Sequence, residues 1–158
     1  MFSVLLLIAL SAIALRAYAP QTLKMRAVAT EALVLGISQQ ICVQEGWAVT
    51  GELPAASSCT NRVPSYGRNA HYVTAVTAPS NEPEFDYVFG NKDAPEAGPR
   101  LTLTLVAGPG EPPATLMWRC GSGQIASPMK PLAEDHTTLS RGSLPSSCRE
   151  LVSNVSRR

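Results

Sequence analysis

The first fifteen residues of this 158-residue chain carry no charged side chain, and no acidic residue occurs before Glu31. Charge is scarce throughout: Asp, Glu, Lys and Arg make up 16% of the sequence, and the net charge is +1. Such a balance supplies neither the broad basic field that holds nucleic acid nor an acidic tail. No Cys-x-x-Cys pair occurs among Cys42, Cys59, Cys120 and Cys148, and neither His71 nor His136 stands at zinc-finger spacing from them. Metal binding is therefore disfavoured, and two disulfides in an exported protein are the expectation. Gly-x-Ser-x-Gly is absent, and Gly121-Ser122-Gly123 lacks the rest of a phosphate-binding loop. No cofactor is expected. There is no internal repeat, and the length allows one domain plus an extension.

What is present is unevenly placed. Met1 to Leu15 is interrupted only by Ser3 and Ser11; its apolar positions include Phe2, Val4, Leu5, Leu6, Leu7, Ile8, Leu10, Ile13 and Leu15. A full membrane span needs about 20 apolar residues. Ala17, Tyr18 and Ala19 extend the run once Arg16 snorkels to the interface. Residues 1–18 therefore read as a helix buried in lipid or among other chains. A cleaved secretory signal is the alternative, since Ala17-Tyr18-Ala19 has the small-x-small form of a cleavage site. Against it, no Lys or Arg precedes the apolar run, and Pro20 would follow the cut.

Beyond Pro20, Leu23, Ala27, Leu33, Val34, Ile37 and Ile41 recur at helical steps, which predicts one apolar stripe suited to packing on a sheet. Gly46 offers a stop. A helix from the start to about residue 45 would be roughly 68 Å long, bent at Pro20, which removes one backbone bond. Thirteen prolines and eleven glycines punctuate the chain, mostly in its second half. Residues 47–70 read as a connecting loop. Strands are predicted over His71–Thr77, Phe85–Phe89, Arg100–Val106 and Ala114–Cys120. Arg100–Val106 alternates leucine with threonine, as a half-buried strand does. The expected fold class is α+β: a long N-terminal helix packed on a four-stranded antiparallel sheet, whose second face is toward solvent, with a disulfide-bounded C-terminal loop region. The globular domain, 19–158, comprises the helix over 20–46, the loop, a sheet over about 71–120 and a loop over 120–148.

Four cysteines allow three pairings; joining sequence neighbours, Cys42 with Cys59 and Cys120 with Cys148, closes the shortest loops. The polar segment between Cys120 and Cys148 could not hold a shape by core burial alone. Closing that loop is worth about 3–4 kcal/mol in the chain-entropy model.

Two ends of the chain resemble the type IV pilin family of neisserial and pseudomonad type. One is Trp118-x-Cys120-Gly121 with Leu144-Pro145-Ser146-Ser147-Cys148-Arg149. The other is Ala17 to Leu33, including Arg26-Ala27 and Thr30-Glu31-Ala32-Leu33. With the layout of the middle, the likeness covers most of the chain. It implies a structural subunit of a type IV pilus, used for surface adhesion, with twitching motility or DNA uptake as further outputs. Its partners would be identical subunits in a helical filament, the pilus assembly machinery, the inner membrane before assembly, and host surfaces or DNA. Its location would be the inner membrane and then the extracellular pilus. Family members carry a basic leader ending in glycine and a glutamate shortly after the mature start. Reading Phe2 as that start sets Leu6 at the glutamate position. Aligning on Thr30 to Leu33 instead sets Met1 near the glutamate, so the expected gene start lies upstream; the alternative is a divergent or non-assembling pilin.

The competing readings are a secreted, disulfide-bonded binding module with a cleaved signal, and a minor pilin. Glu134-Asp135-His136 has the residue types of a metal or acid–base site, but in a polar loop it reads as solvated surface, and no enzyme is expected. Trp47 and Trp118 read as core or rim. Arg62, Tyr66, Arg68 and Tyr72 could stack on single-stranded DNA, although scattered surface positions are the plainer account.

Overall fold

A computed structural model of the chain describes residues 2–60, 70–78, 82–90, 97–111 and 113–149, with side chains of the first helix from Lys24 onward. The architecture is α+β. Helix α1 (Phe2–Thr50) leads to a short α2 (Ala56–Thr60) and the strands β1 (Val73–Thr77), β2 (Glu84–Phe89), β3 (Arg100–Ala107), β4 (Leu116–Cys120) and β5 (Lys130–Pro131). The first four strands form an antiparallel meander in the order β1-β2-β3-β4, and β5 pairs with the end of β3. The four predicted strands are therefore present, with β1 and β4 each starting two residues later than expected.

Alternation decides what each face of the sheet meets. Phe85, Tyr87, Leu101, Leu103 and Leu105 point to one face, paired across the strands as Phe85 with Leu103 and Tyr87 with Leu101. They pack with Val28, Ala29, Ala32, Leu35 and Val43 of α1 into one core. Here the sequence expectation is overturned. Of the predicted stripe, Leu33 is half-buried against the core, but Val34, Ile37 and Ile41 face away from the sheet and are 49%, 50% and 46% exposed. The sheet takes the opposite side of α1, where the residues are smaller. Gly36 shows why: a Cβ there would stand 2.6 Å from Leu103 Cδ1 and 3.0 Å from Tyr87 Oη. Close approach at Gly36 leaves no room for a side chain there, and Val34, Ile37 and Ile41 stay outside while Leu35 and Val43 pack inside.

The helix end also differs. Gly46 does not stop α1; a Cβ on it would meet Pro54 Cγ at 2.8 Å, so it is the place where the returning chain presses on the helix. Gly51 ends the helix, at φ +74°, with its N–H donating to the Trp47 carbonyl at 2.8 Å. The connecting loop therefore begins four residues later than expected and carries α2, whose Cys59 is bonded to Cys42 of α1. The second bridge joins Cys120 at the end of β4 to Cys148.

The second sheet face is not toward solvent. Glu84, Asp86, Thr102 and Thr104 lie on it and all are buried. What buries them is the segment inside the Cys120–Cys148 loop. Leu105 gives its N–H to Pro83 and takes the N–H of Leu132, so β5 continues the edge occupied by β2. The chain then crosses: Thr104 Oγ1 donates to the Glu134 carbonyl at 3.4 Å, and His136 N–H donates to Thr102 Oγ1 at 3.1 Å. It arrives on the β4 edge, where Thr137 Oγ1 accepts from Thr102 N–H and Thr138 N–H reaches the Arg100 carbonyl. So β3 is buried on both faces, not one. Its threonines are hydrogen-bonding partners of a crossing strap, which alternation alone could not reveal. Leu139 and Leu144 then rejoin the core, and the turn Arg141–Ser143 packs on α1.

Candidate subunit interface

Two sides of α1 have different tasks. One is occupied by the sheet. The other presents Val34, Ile37 and Ile41 at three- and four-residue steps, with Ala27 and Ala48 exposed along the same side. A single exposed aliphatic is ordinary on a protein surface; a row of them along one helix makes this side the candidate contact surface. Lys24, Arg26, Thr30, Gln44 and Glu45 are exposed about this row and keep it from being a purely oily patch.

The expected filament-core positions Phe2, Val4, Leu5, Leu6, Leu7, Ile8, Leu10, Ile13 and Leu15 fall within α1, but their side chains lie outside the described residues, as does that of Pro20. Among the described residues, no helix is long and apolar enough to cross a membrane.

Polar ties fix how α1 sits on its sheet. The Glu31 carboxylate accepts from the N–H groups of Tyr72 and Val73 at 3.0 and 3.1 Å, both on Oε1, which pins the entry of β1 to the helix. Under the helix, Tyr87 Oη donates to Gln39 Oε1 at 3.4 Å, and Ser38 Oγ donates to the same oxygen at 3.1 Å. Burial holds the Tyr87 phenol far above its usual pKa, so it stays a donor. Gln39 Nε2 is buried with no hydrogen-bond partner. Ser38, Gln39 and Tyr87 were not singled out from the sequence; Tyr72 was named only as a stacking candidate and Glu31 only within the family-like stretch Thr30 to Leu33. Gln39 alone left a trace, as a polar residue among positions that otherwise carry Ala, Gly, Leu and Val.

The other candidates are scattered. Glu134, Asp135 and His136 are exposed, with His136 Nε2 at 3.7 Å from the buried Glu84 Oε1. Asp86 accepts from Thr102 Oγ1 at 2.7 Å and has Arg100 Nη1 at 3.8 Å. Among the described residues no group of three or more His, Cys, Asp or Glu is arranged to hold a metal. Trp118 is half-buried with its ring 5.7 Å from Phe85, and Trp47 is half-buried. Tyr72 is exposed and meets His71 edge-on at 5.9 Å. Arg62, Tyr66 and Arg68 lie outside the described residues. An open groove of about 590 Å³ lies among Leu53, Pro109, Pro113, Pro128 and Leu132, with Glu111 and Lys130 its ionisable lining residues. No protein-family model matches the chain, and no curated protein sequence matches it.

Proposed function

We propose that this chain is a structural subunit of a type IV pilus, which polymerises through α1 and displays its sheet domain on the filament skin. One observation carries the reading: the apolar row Val34, Ile37 and Ile41 lies on the side of α1 that its own sheet leaves uncovered. It continues the helix whose first fifteen residues are uncharged. A helix with one side packed on its own domain and the other apolar needs a second surface to cover it. Identical helices supply one, exchanging lipid or water contacts for side-chain packing. Head-to-tail repetition of such a contact does not close, so it builds a fibre. The resemblance at Ala17 to Leu33 and around Cys120 and Cys148 supports the same reading. The region between those cysteines is then the surface for adhesion or neighbouring subunits.

Ile37→Arg tests it. The side chain is half-exposed, so folding of the domain should change by no more than about 0.5 kcal/mol. Filaments counted by electron microscopy should be lost. Wild-type filament numbers from a folded Ile37→Arg protein would end this reading.

A further inference from the structure

The segment Glu134-Asp135-His136-Thr137-Thr138 lies between buried Ala133 and Leu139 and contains no apolar residue. Its hold on the sheet is polar: backbone and hydroxyl bonds to Arg100, Thr102 and Thr104, and the approach of His136 to Glu84. Beneath it lie Glu84, Asp86, Thr102 and Thr104. Among the described residues, Arg100 approaches Asp86 and His136 approaches Glu84, both roughly two-fifths exposed. Burying carboxylates forfeits their hydration, and lifting the segment restores it. Opening this side therefore exposes groups that water solvates well. Opening the helix side would expose Phe85, Tyr87 and the leucines of β3. Local opening follows the lower of such costs.

A second contact bears on closure. Gly121, next to Cys120, has φ +50°, and a Cβ there would stand 3.3 Å from Thr137 Oγ1 and 3.2 Å from the Cys148 carbonyl oxygen. Thr137 thus rests where the Cys120–Cys148 bridge draws the end of β4 against the C-terminal turn. We propose that Glu134 to Thr138 is a displaceable strap, which opens as a unit while the helix–sheet core stays folded, and that the Cys120–Cys148 bridge keeps it shut. The strap is a property of the sheet domain and stands or falls apart from filament assembly.

Residue-resolved amide hydrogen exchange on the full chain, solubilised with its disulfides intact, tests this. The His136 and Thr138 amides should exchange at least about tenfold faster than those of Leu103 and Leu105, with little response to low denaturant. In the Cys120→Ser/Cys148→Ser double variant the strap amides should speed up by a further factor of about ten while Leu103 and Leu105 hold their rates. Gly121→Ala, with the bridge intact, provides the same readout should the double variant fail to fold. The proposal is overturned if strap and β3 amides exchange at one rate with one denaturant dependence. It is equally overturned if strap exchange is unchanged in every variant that folds.

Discussion

The two faces of the sheet are both buried, yet by opposite means. On the helix side, Phe85, Tyr87, Leu101, Leu103 and Leu105 meet Val28, Ala29, Ala32, Leu35 and Val43 of α1, with close approach at Gly36. On the strap side, Glu84, Asp86, Thr102 and Thr104 meet backbone groups and a histidine. Burial alone therefore says little about what a face contributes. Apolar burial stabilises in proportion to area removed from water, whereas polar burial mainly avoids the penalty of unmet hydrogen bonds.

The largest expected effect breaks the apolar side. Leu103 is 1% exposed and fills the space against Gly36. Leu103→Ala should lower stability by about 3 kcal/mol, as transfer and cavity terms add. The check is the denaturation midpoint, taken at an unchanged denaturant slope. A loss under about 1 kcal/mol would mean that the helix is not the principal cover of this face.

The strap side should yield less. Thr102 Oγ1 donates to Asp86 Oδ1 and accepts from His136 N–H, so Thr102→Val strips both groups of a partner while keeping the side chain's size. Orphaning them should cost about 1–2 kcal/mol, measured the same way. Should it cost as much as Leu103→Ala, the two faces would not differ as argued.

This contrast also marks what could be read from the chain. The α+β class, the four strands and their alternation were legible, because period-2 and helical repeats report directly on backbone geometry. The side of α1 that meets the sheet was not. Val34, Ile37 and Ile41 are the stronger apolar signal, while Ala29, Ala32 and Gly36 read as weak. A periodicity count rewards bulk, but close helix–sheet approach rewards its absence. The strap was equally hidden: Thr102 and Thr104 look the same in sequence whether water or a crossing backbone bonds to them. At the candidate interface, the expected apolar row was present in the sequence, and its assignment to the outside needed the fold.

A smaller effect concerns how the helix is tied to the sheet edge. Both N–H groups of Tyr72 and Val73 converge on Glu31 Oε1, so Glu31→Gln retains the acceptor and removes only the charge. A charge-assisted bond exceeds a neutral one, but this site is partly exposed. The expected loss is about 0.5 kcal/mol. Faster exchange of the Tyr72 and Val73 amides should accompany it, with Leu103 and Leu105 unaffected. Loosening of the whole sheet would instead make Glu31 part of the core's support.

The smallest effect lies where the apolar side has a polar flaw. Gln39 and Tyr87 bond to each other inside the core, and Gln39 Nε2 has no hydrogen-bond partner there. Replacing Gln39 alone leaves the buried phenol unmet, whereas replacing both removes the phenol and its acceptor together, and Ser38 Oγ keeps the Leu35 carbonyl as acceptor. The double variant Gln39→Leu/Tyr87→Phe should therefore be neutral within about 0.5 kcal/mol, or slightly more stable, while Gln39→Leu alone should lose about 1 kcal/mol. Denaturant titration of the two variants separates these outcomes. If the double variant lost more than Gln39→Leu alone, the pair would be a source of strength in this core and not a polar intrusion tolerated by it.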